Sequence, residues 1–363
     1  MFVTGLGTAV PPYRYSQREC WAAMQAAQQF PELTDRSRRI LEKVLCGMDG
    51  IEHRHFALKS LDEAFDISPD ALQSRFLRHA PFLASEAAER ALMDAGLRPD
   101  AIDGVIISTC TGYLCPGLTS YVAERIDLRS DVIALDLVGL GCGAAIPNWR
   151  VAEALITSKH CRHLLAICVE VCSAAMYLDN DPGVLISTCL FGDGAGALVL
   201  SDQPSNRGPV IEWRASESVT CPEQRDLLRF EQRGGLLRNV LSRQVPDCVG
   251  DYAEQVLQKV LAASGVSTDE IAAWILHPGG RKVLGALEKR LGLDPEDLRW
   301  SRWVLREFGN LSSASVFFVL QAAMKGSAPD GWWWVSSFGA GFSCHGALLR
   351  VNGNQRGAIN QER

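Results

Sequence analysis

The chain has 363 residues, about two to three times the size of a typical single domain, so it can form two domains or one duplicated domain around a large core. Hydrophobic residues make up 47% of the sequence and charged residues 21%, which is typical of a soluble globular protein and excludes a disordered, collagen-like or coiled-coil chain. The 36 Lys and Arg residues and 42 Asp and Glu residues give a formal net charge of −6 without blocks of one sign, so we expect no nucleic-acid partner.

The N-terminal residues and the cysteines bear on the cellular compartment. The opening segment, MFVTGLGTAVPPYR, lacks the basic and apolar regions of a secretory signal, and no apolar run is long enough to predict a membrane span. Twelve cysteines in a chain without an export signal are expected to be reduced thiols in a cytoplasmic protein. Most of them should be small core residues.

Helical and extended patterns alternate along the chain. Stretches with helical periodicity predict helices at 17–28, 36–46, 83–95, 148–157, 252–263, 281–291 and 313–325. Short runs rich in Val and Ile predict strands at 104–108, 132–136, 164–168 and 273–277. This alternation is typical of an α/β fold.

The two halves of the sequence resemble each other. Residues 91–108 align with residues 260–277 without a gap, and each copy reads as a helix, a glycine stop, a turn and a buried strand. A second aligned pair, LGCGAA and FGNLSS, places Cys142 opposite Asn310. We therefore predict a duplicated α/β unit with halves at 1–205 and 206–363, divided at a linker that contains Pro and Gly.

Cys142 is the first candidate for a catalytic residue. It follows an apolar strand, and Pro147 predicts that a helix begins within a few residues of it, because proline is tolerated only in a first helical turn. The free N–H groups and the positive dipole end of a helix N-terminus favour the thiolate, the form that attacks an acyl carbon. Taken alone, the residue could equally be a small buried cysteine.

Two polar residues at the ends of predicted elements are further candidates. His277 ends a buried strand just before a Pro-Gly-Gly turn, at the sheet edge where α/β proteins bind ligands. Asn310 precedes the helix predicted at 313–325 and could equally be a plain N-cap. Taken alone, each residue also has a purely structural interpretation.

The duplication brings the three candidates to one point. It places the loops of Cys142 and Asn310 as counterparts around one axis, with His277 on the adjoining strand. A thiol nucleophile beside two neutral hydrogen-bond donors suits acyl transfer from a thioester. The donors can hold a thioester oxygen and stabilise the enolate that remains when a neighbouring carboxylate leaves as carbon dioxide. Such a site requires no metal or redox cofactor.

Five motifs resemble those of the type III polyketide synthases, which belong to the thiolase superfamily and include the chalcone synthases. In chain order they are LGCGAA at 140–145, LFGDGA at 190–195, LHPGG at 276–280, FGNLSSA at 308–314 and FGAGF at 338–342. The resemblance covers nearly the whole chain in order and spacing. It implies a thiolase-like α/β fold, an internally duplicated five-layered αβαβα architecture, in a cytoplasmic homodimer.

The resemblance also implies roles for individual residues. Cys142 would carry the acyl group, while His277 and Asn310 would activate it and drive decarboxylation of malonyl-coenzyme A. Phe191 matches the gatekeeper between the coenzyme A tunnel and the cavity, and Cys115 matches the position that crosses the dimer interface. The expected reaction loads an acyl-coenzyme A starter, extends it iteratively with malonyl units and cyclises the chain to a pyrone, a resorcinol or a related product.

The match is weakest where the family binds the coenzyme A phosphates. In the segment at 46–56, Arg54 is the clear basic match, whereas Met48 stands at a position that is basic in the family. We therefore expect Arg54 to contact the phosphates. Arg281 and Lys282 are candidate substitutes for the missing cations, although they could equally be solvated helix residues.

The positions that line the family's cavity carry small side chains here. By resemblance they are Cys172 and Ala175, which follow Glu170, and Ser312, which follows Asn310. Small side chains leave space in a cavity, so we expect room for an aliphatic or otherwise bulky acyl starter.

Other classes of protein fit parts of this pattern. A ketoacyl synthase III-like condensing enzyme uses the same three residues, but it usually follows its histidine with Gln-Ala-Asn rather than with Pro-Gly-Gly. A papain-like hydrolase has Cys, His and Asn in this chain order, but Cys142 lacks the sequence context of that class. A zinc site near 160–163 and a dinucleotide loop at 139–143 both lack the necessary partner residues.

Overall fold

The computed structural model describes residues 1–47 and 50–353, so Met48 of the predicted phosphate-binding segment lies outside the described residues. The strands of the described residues are β1 (Phe2–Ala9), β2 (Tyr13–Ser16), β3 (His53–Phe56), β4 (Gly104–Thr109), β5 (Ile133–Val138), β6 (His163–Glu170), β7 (Gly194–Ser201), β8 (Val210–Thr220), β9 (Leu228–Arg233), β10 (Leu236–Leu241), β11 (Ile271–Leu276), β12 (Gly331–Gly339) and β13 (Ser343–Asn352). The helices of these residues are α1 (Gln17–Ala26), α2 (Asp35–Cys46), α3 (Pro69–Ala95), α4 (Leu118–Arg125), α5 (Ala145–Thr157), α6 (Pro182–Leu190), α7 (Val245–Ser264), α8 (Arg281–Leu291), α9 (Arg299–Phe308) and α10 (Ser315–Lys325).

The helices predicted from periodicity are confirmed, but some are longer and others were missed. The pattern at 83–95 is only the last part of α3, a helix of 27 residues that continues through Pro81. Helices α4, α6 and α9 are absent from the sequence prediction. In α9 the buried residues Ser301, Val304 and Leu305 do recur at helical spacing, so a signal for this helix was present.

Nine of the described strands form one sheet in the order β5-β4-β6-β7-β1-β8-β13-β12-β11. In the first half, β4 is parallel to β5 and β6, while β7 is antiparallel to both β6 and β1. In the second half, β11 is parallel to β12, while β13 is antiparallel to both β12 and β8. The two halves repeat one topology, which confirms the predicted duplication.

The two halves differ in the element that precedes their central loop. In the first half the chain forms β5 just before the loop of Cys142. In the second half it forms α9 just before the loop of Asn310. The aligned loops are therefore entered from a strand in one half and from a helix in the other.

The helices form three layers around the two parts of the sheet. Helix α3 packs outside β1, β6 and β7, and α7 packs outside β8 and β13. Helices α5 and α10 lie between the two halves, since α5 contacts β4, β6, β12 and β13, and α10 contacts β1, β7, β11 and β12. This arrangement is the expected five-layered αβαβα architecture.

Large aromatic side chains join the two halves in the central layer. The ring of Trp149 on α5 meets the ring of Phe317 on α10 edge to face, with centroids 5.3 Å apart. Trp213 on β8 packs against the same indole at 6.2 Å. Burial of a side chain of this size contributes roughly 2 to 3 kcal/mol, so this contact helps to hold the halves in one fixed arrangement.

Glycine and alanine allow α3 to lie close against the sheet. A Cβ atom at Gly7 of β1 would stand only 2.1 Å from the carbonyl oxygen of Ala87 on α3. The facing side of the helix is also small, with Ala84, Ala88 and Ala91 fully buried. The strand and helix backbones are thus in direct contact, and any larger side chain at Gly7 would separate them.

The Trp-rich run at 332–334 lies at the start of β12. The side chains of Trp333 and Trp334 are completely buried on opposite faces of this strand, one in the central core and one under α7. Within residues 1–47 and 50–353, no helix combines the length and the apolar character that crossing a membrane requires.

Candidate active site

Cys142 lies in a tight turn at 141–143 between β5 and α5, and α5 begins three residues later, as expected. The turn presses against the end of β12, because a Cβ atom at Gly143 would stand 2.8 Å from the backbone nitrogen of Gly339. The hydroxyl of Ser337 donates a hydrogen bond to the carbonyl of Gly143 at 3.0 Å. The turn that carries Cys142 belongs to the first half of the chain, and contacts from the second half therefore hold it in place.

His277 directly follows β11, and its backbone nitrogen donates to the carbonyl of Ser336 on β12 at 2.9 Å. The ring packs near Phe338, with centroids 6.5 Å apart, and Nδ1 has no hydrogen-bond partner among the described residues. Burial lowers the pKa of His277 to about 4. The imidazole is therefore neutral at physiological pH and leaves a ring nitrogen for a substrate.

Asn310 follows α9 and is fixed by backbone contacts with the first half. Its N–H donates to Leu190 at 2.9 Å, and its carbonyl accepts from Gly192 at 3.0 Å. Its side-chain amide donates to the carbonyl of Gly279 at 3.2 Å, and its Oδ1 accepts from the backbone of Ser312 at 2.8 Å. Helix α10 begins only at Ser315, so the alternative that Asn310 is the N-cap of that helix is wrong.

A chain of contacts joins the three predicted residues. The Sγ atom of Cys142 lies 3.2 Å from the hydroxyl of Ser312. The backbone of Ser312 is bound to Asn310, and the amide of Asn310 is bound to Gly279, two residues after His277. The structure therefore brings residues near Cys142 that lie more than a hundred positions further along the chain.

The ionisation of Cys142 differs from the sequence expectation. A position near a helix N-terminus predicted a thiolate, but burial raises the pKa of Cys142 to about 12. The nearby carboxylate of Glu170 raises the pKa further, whereas the hydrogen bond with Ser312 lowers it. Loss of hydration and the like charge of Glu170 both favour the thiol over the thiolate before substrate binds.

A cavity opens beside Ser312, and four residues predicted to face substrate line it: Phe191, Cys172, Ala175 and Ser312. Sequence reasoning missed the other walls, which include Tyr177 and the Phe230, Leu237 and Asn239 side chains of the β9–β10 hairpin. These hairpin residues belong to no motif, and only the fold shows that they reach the cavity.

Arg54 does not lie where the sequence placed it. Its side chain is 0% exposed, and its guanidinium donates to Gln17 Oε1 and to the carbonyls of Thr188 and Phe191. A guanidinium enclosed in this way cannot reach a solvated phosphate, so the expectation that Arg54 binds coenzyme A phosphates is corrected. Arg281 and Lys282 are exposed at the start of α8, and their contact with phosphate stays a prediction.

Cys115 lies outside this cavity. It is exposed, and the peptide bond that joins it to Pro116 is cis. Its predicted position across a dimer interface is compatible with this exposure and stays a prediction. No cluster of three or more His, Cys, Asp or Glu side chains in the described part of the chain could hold a metal ion.

Acid should destabilise the protein through two buried histidines. Burial lowers the pKa of His277 and of His345 to about 4, from an ordinary value of 6.5. The unfolded chain therefore takes up these protons first, and between pH 6.5 and 4 each histidine lowers the free energy of unfolding by up to about 3 kcal/mol. Asp193 opposes this effect, because its pKa is raised to about 6 and protonation favours its folded form.

The variant His345→Asn separates one of these contributions. His345 lies between the hydroxyls of Ser218 and Ser343, at 2.8 and 3.1 Å. We expect the loss of unfolding free energy between pH 6.5 and 4 to be about 3 kcal/mol smaller in this variant than in the wild type. Chemical denaturation at both pH values measures the difference, and equal losses in the two proteins would contradict the assignment.

The duplicated five-layered fold, with Cys142 beside the buried His277 and Asn310, is that of a condensing enzyme of the thiolase class. The family model described as "FAE1/Type III polyketide synthase-like protein" matches residues 12–211, and the model "Chalcone and stilbene synthases, C-terminal domain" matches residues 220–352. The chain belongs to the type III polyketide synthase family and is an acyltransferase. The fold excludes the papain-like alternative.

Relatives of known name and structure agree with this assignment. The 3,5-dihydroxyphenylacetyl-CoA synthase of Streptomyces toyocaensis is 29% identical over 334 residues, which cover 89% of this chain and 82% of that protein. The crystal structure of PKS-I from the brown alga Ectocarpus siliculosus is similar with a TM-score of 0.87 and 25% identity, covering 96% of this chain and 98% of that one. The 1,3,6,8-tetrahydroxynaphthalene synthase of Streptomyces coelicolor A3(2) shares the fold with a TM-score of 0.86 and 23% identity, covering 96% of this chain and 99% of that one.

Proposed function

We propose that this polyketide synthase loads an acyl group from an acyl-coenzyme A starter onto Cys142 and extends it with malonyl units. The observation that carries the proposal is the chain of contacts from Cys142 through Ser312 to Asn310 and on to the turn after His277. These contacts join a nucleophile to two neutral hydrogen-bond donors, and Ser312 in this chain of contacts also lines the cavity. No cofactor is required, because the substrates supply both the carbon chain and the carboxylate that leaves.

In the loading step, the sulfur of Cys142 attacks the thioester carbon of the starter, and coenzyme A leaves. The neutral side chains of His277 and Asn310 are placed to donate hydrogen bonds to the oxygen that becomes negatively charged. Such donors act strongly in a buried site, because no water has to reorganise as the charge develops.

In the extension step, the same two donors hold the thioester oxygen of malonyl-coenzyme A. The terminal carboxylate leaves as carbon dioxide, and its bonding electrons form an enolate whose oxygen accepts hydrogen bonds from His277 and Asn310. The enolate carbon then attacks the acyl carbon on Cys142, and the cysteine sulfur leaves. A neutral His277 suits this role, because a pKa of about 4 keeps it uncharged at physiological pH.

The cavity supports both the starter class and the type of product. Its walls combine the small Cys172 and Ala175 with the apolar Phe230 and Leu237, which suits an aliphatic or otherwise bulky acyl chain. The similar enzyme of Streptomyces toyocaensis is named for a product with a dihydroxyphenyl ring. We therefore include resorcinols, together with pyrones, among the products of this chain.

The proposed enzyme is a homodimer. Strand β5 is the edge of the sheet, and its Val138 is 58% exposed. Tyr113 is 70% exposed, two residues before the exposed Cys115, and exposed large side chains of this kind suit a protein interface. A solution mass twice that of one chain supports the dimer, and a stable monomer would contradict it.

The proposed location is the cytoplasm. The cysteines are thiols outside any disulfide bond, and seven of them are buried: Cys20, Cys161, Cys168, Cys172, Cys189, Cys221 and Cys344. Thiols in this number suit a reducing compartment. Fractionation of the producing cell tests this location, and recovery of the protein outside the cytoplasm would contradict it.

The test of the reaction is mass spectrometry of products from the purified protein with malonyl-coenzyme A. Short, long and aromatic acyl-coenzyme A starters are supplied in parallel reactions, and the Cys142→Ala variant serves as the control. We expect pyrones or resorcinols that are absent from the variant. Condensation only with acyl groups on acyl carrier protein would instead support the ketoacyl synthase III-like alternative.

A further inference from the structure

We propose that Asn239 selects acyl starters that carry a hydroxyl group, because its amide oxygen accepts a hydrogen bond from that hydroxyl inside the cavity. This selection rests on the proposed loading reaction, to which it adds a class of substrate and the residue that recognises it. Asn239 touches neither the reacting sulfur nor the thioester in this scheme. It is a specificity-determining residue on the wall that faces the acyl chain.

Asn239 lies on the face of the β9–β10 hairpin that forms one wall of the cavity. It is 5% exposed and pairs across the hairpin with Phe230. Paired residues, and residues two apart on one strand, project from the same face of a sheet, so Phe230, Leu237 and Asn239 point the same way. All three line the cavity. The amide of Asn239 is therefore a polar group beside two apolar side chains of the same wall.

The hydrogen bonds of Ser187 determine which end of this amide is already bound. Ser187 lies on α6 and donates its one hydroxyl proton to the carbonyl of Gly183 at 2.7 Å. Its oxygen can then only accept from Asn239, whose Nδ2 lies 2.7 Å away. The other end of the amide, Oδ1, is buried and has no hydrogen-bond partner among the described residues. Asn239 thus keeps an acceptor that a substrate can use.

The rest of the cavity wall makes this acceptor distinctive. Among the described residues that line the cavity, Asn239 is the one whose side chain has a buried polar atom without a partner. The serine and threonine hydroxyls of the wall each donate to a protein acceptor; they belong to Thr111, Ser187, Thr188 and Ser312. The described lining contains no Asp, Glu, Lys or Arg, so a neutral hydroxyl suits it better than a charged ammonium group.

Contacts between the hairpin and α6 hold Asn239 in place before a substrate binds. The preceding residue, Arg238, projects from the opposite face and forms ion pairs with Glu231 and with Asp181, the N-cap of α6. A Cβ atom at Gly183 would stand 2.9 Å from the carbonyl oxygen of Asn239, so the start of α6 touches β10 directly. An acceptor that is fixed in this way loses little freedom when it binds a hydroxyl.

The unpaired acceptor gives a reason for discrimination between starters. A starter without a hydroxyl fills the cavity but leaves Oδ1 buried and unpaired, whereas a hydroxylated starter satisfies it. Because the difference is present in the transition state of loading, it changes the rate at which the two starters reach Cys142.

A competition between paired starters tests the selection in the full-length protein. Each reaction contains equal amounts of two acyl-coenzyme A thioesters that differ only in one hydroxyl. The pairs are hexanoyl with 6-hydroxyhexanoyl, octanoyl with 8-hydroxyoctanoyl, and benzoyl with 3-hydroxybenzoyl. Without malonyl-coenzyme A, mass spectrometry of the peptide that contains Cys142 gives the ratio of the two acyl groups. We expect the hydroxylated group to exceed its partner by about 10-fold in the pair whose hydroxyl reaches Asn239.

Two variants of cavity residues form a matched set. Asn239→Leu removes the acceptor with little change in volume, and it should reduce the ratio to about 1. Thr188→Val removes a hydroxyl that lines the same cavity and already donates to the carbonyl of Tyr177, so it should keep the wild-type ratio. Both starters of a pair compete for the same folded molecules, so partial loss of folding in a variant leaves the ratio unchanged.

Three outcomes would overturn the selection by Asn239. A ratio near 1 for every pair in the wild type would show that no hydroxyl is recognised. A ratio that survives in Asn239→Leu would show that the hydroxyl binds elsewhere, or that Asn239 contacts the part of coenzyme A that both starters share. An equal loss of the ratio in Thr188→Val would show that general polarity of the cavity is responsible.

The same experiment separates this selection from the proposed function. In each of the three outcomes the wild type still carries an acyl group on Cys142, and the loading reaction stands. A wild type that is acylated by no acyl-coenzyme A would overturn both.

Discussion

The variant Cys142→Ala is expected to lose acyl loading and polyketide formation by at least about 1000-fold, while it continues to release carbon dioxide from malonyl-coenzyme A. Loading needs the sulfur as a nucleophile, and no second group can replace it. Decarboxylation needs only the donors that stabilise the enolate, and His277 and Asn310 remain in place. Intact-protein mass spectrometry measures loading, and release of labelled carbon dioxide measures decarboxylation.

Cys110 offers a matched control for this prediction. Its sulfur lies 3.3 Å from the hydroxyl of Ser312, nearly as close as the sulfur of Cys142, and it lines the cavity beside Ser312. Cys110→Ala should still accept an acyl group on Cys142. If acylation persisted in Cys142→Ala and disappeared in Cys110→Ala, the nucleophile would be Cys110 and the prediction would be wrong.

The variant Asn310→Ala is expected to show the reverse pattern. Decarboxylation should fall by about 100- to 1000-fold, because one of two donors to the enolate oxygen is lost. Acylation of Cys142 should fall less, since the thiol and His277 remain. The test is therefore the ratio of the decarboxylation rate to the acylation rate, measured with the same assays as for Cys142→Ala. This ratio should be lower in Asn310→Ala than in the wild type.

Asn310→Asp separates the donor from the positioning role of this side chain. The carboxylate keeps an oxygen that can accept the hydrogen bond from the backbone of Ser312, now 2.8 Å from Oδ1, but it has no amide to donate. If the donor matters, decarboxylation should fall in the Asp variant as it does in the Ala variant. Full decarboxylation in Asn310→Asp would show that Asn310 acts by holding Ser312 and not by binding the thioester.

The electrostatic state of the site was the least predictable feature. The helix that follows Cys142 indicated a thiolate, yet the pKa is raised to about 12 by burial and by Glu170. From the sequence, Glu170 is only a residue that precedes the cavity positions. Its influence on the site arises because Ser312 and Ser313, from a later part of the chain, donate hydrogen bonds to its carboxylate. Such effects depend on distances of a few ångströms between groups far apart in sequence.

Arg54 was misplaced for a related reason. Its type and its position in a family motif suggested a phosphate contact, but the strand alternation of β3 turns it inward with Phe56. There the carbonyls at the end of α6 accept its hydrogen bonds. Residue type predicts what a side chain can bind, whereas the direction in which it points is decided by the register of its strand.

The sequence by itself determined the α/β class, the duplication and most helices, and it predicts Cys142, His277 and Asn310 as the central residues of the site. These follow from local periodicity, glycine and proline positions and motif order, all of which are properties of neighbouring residues. Only the tertiary structure decided that Ser312 joins Cys142 to Glu170, that the β9–β10 hairpin closes the cavity and that Arg54 is enclosed. The physical reason is that burial, hydrogen bonding and charge are set by contacts between distant segments, which exist only after the two halves have packed around their shared central helices.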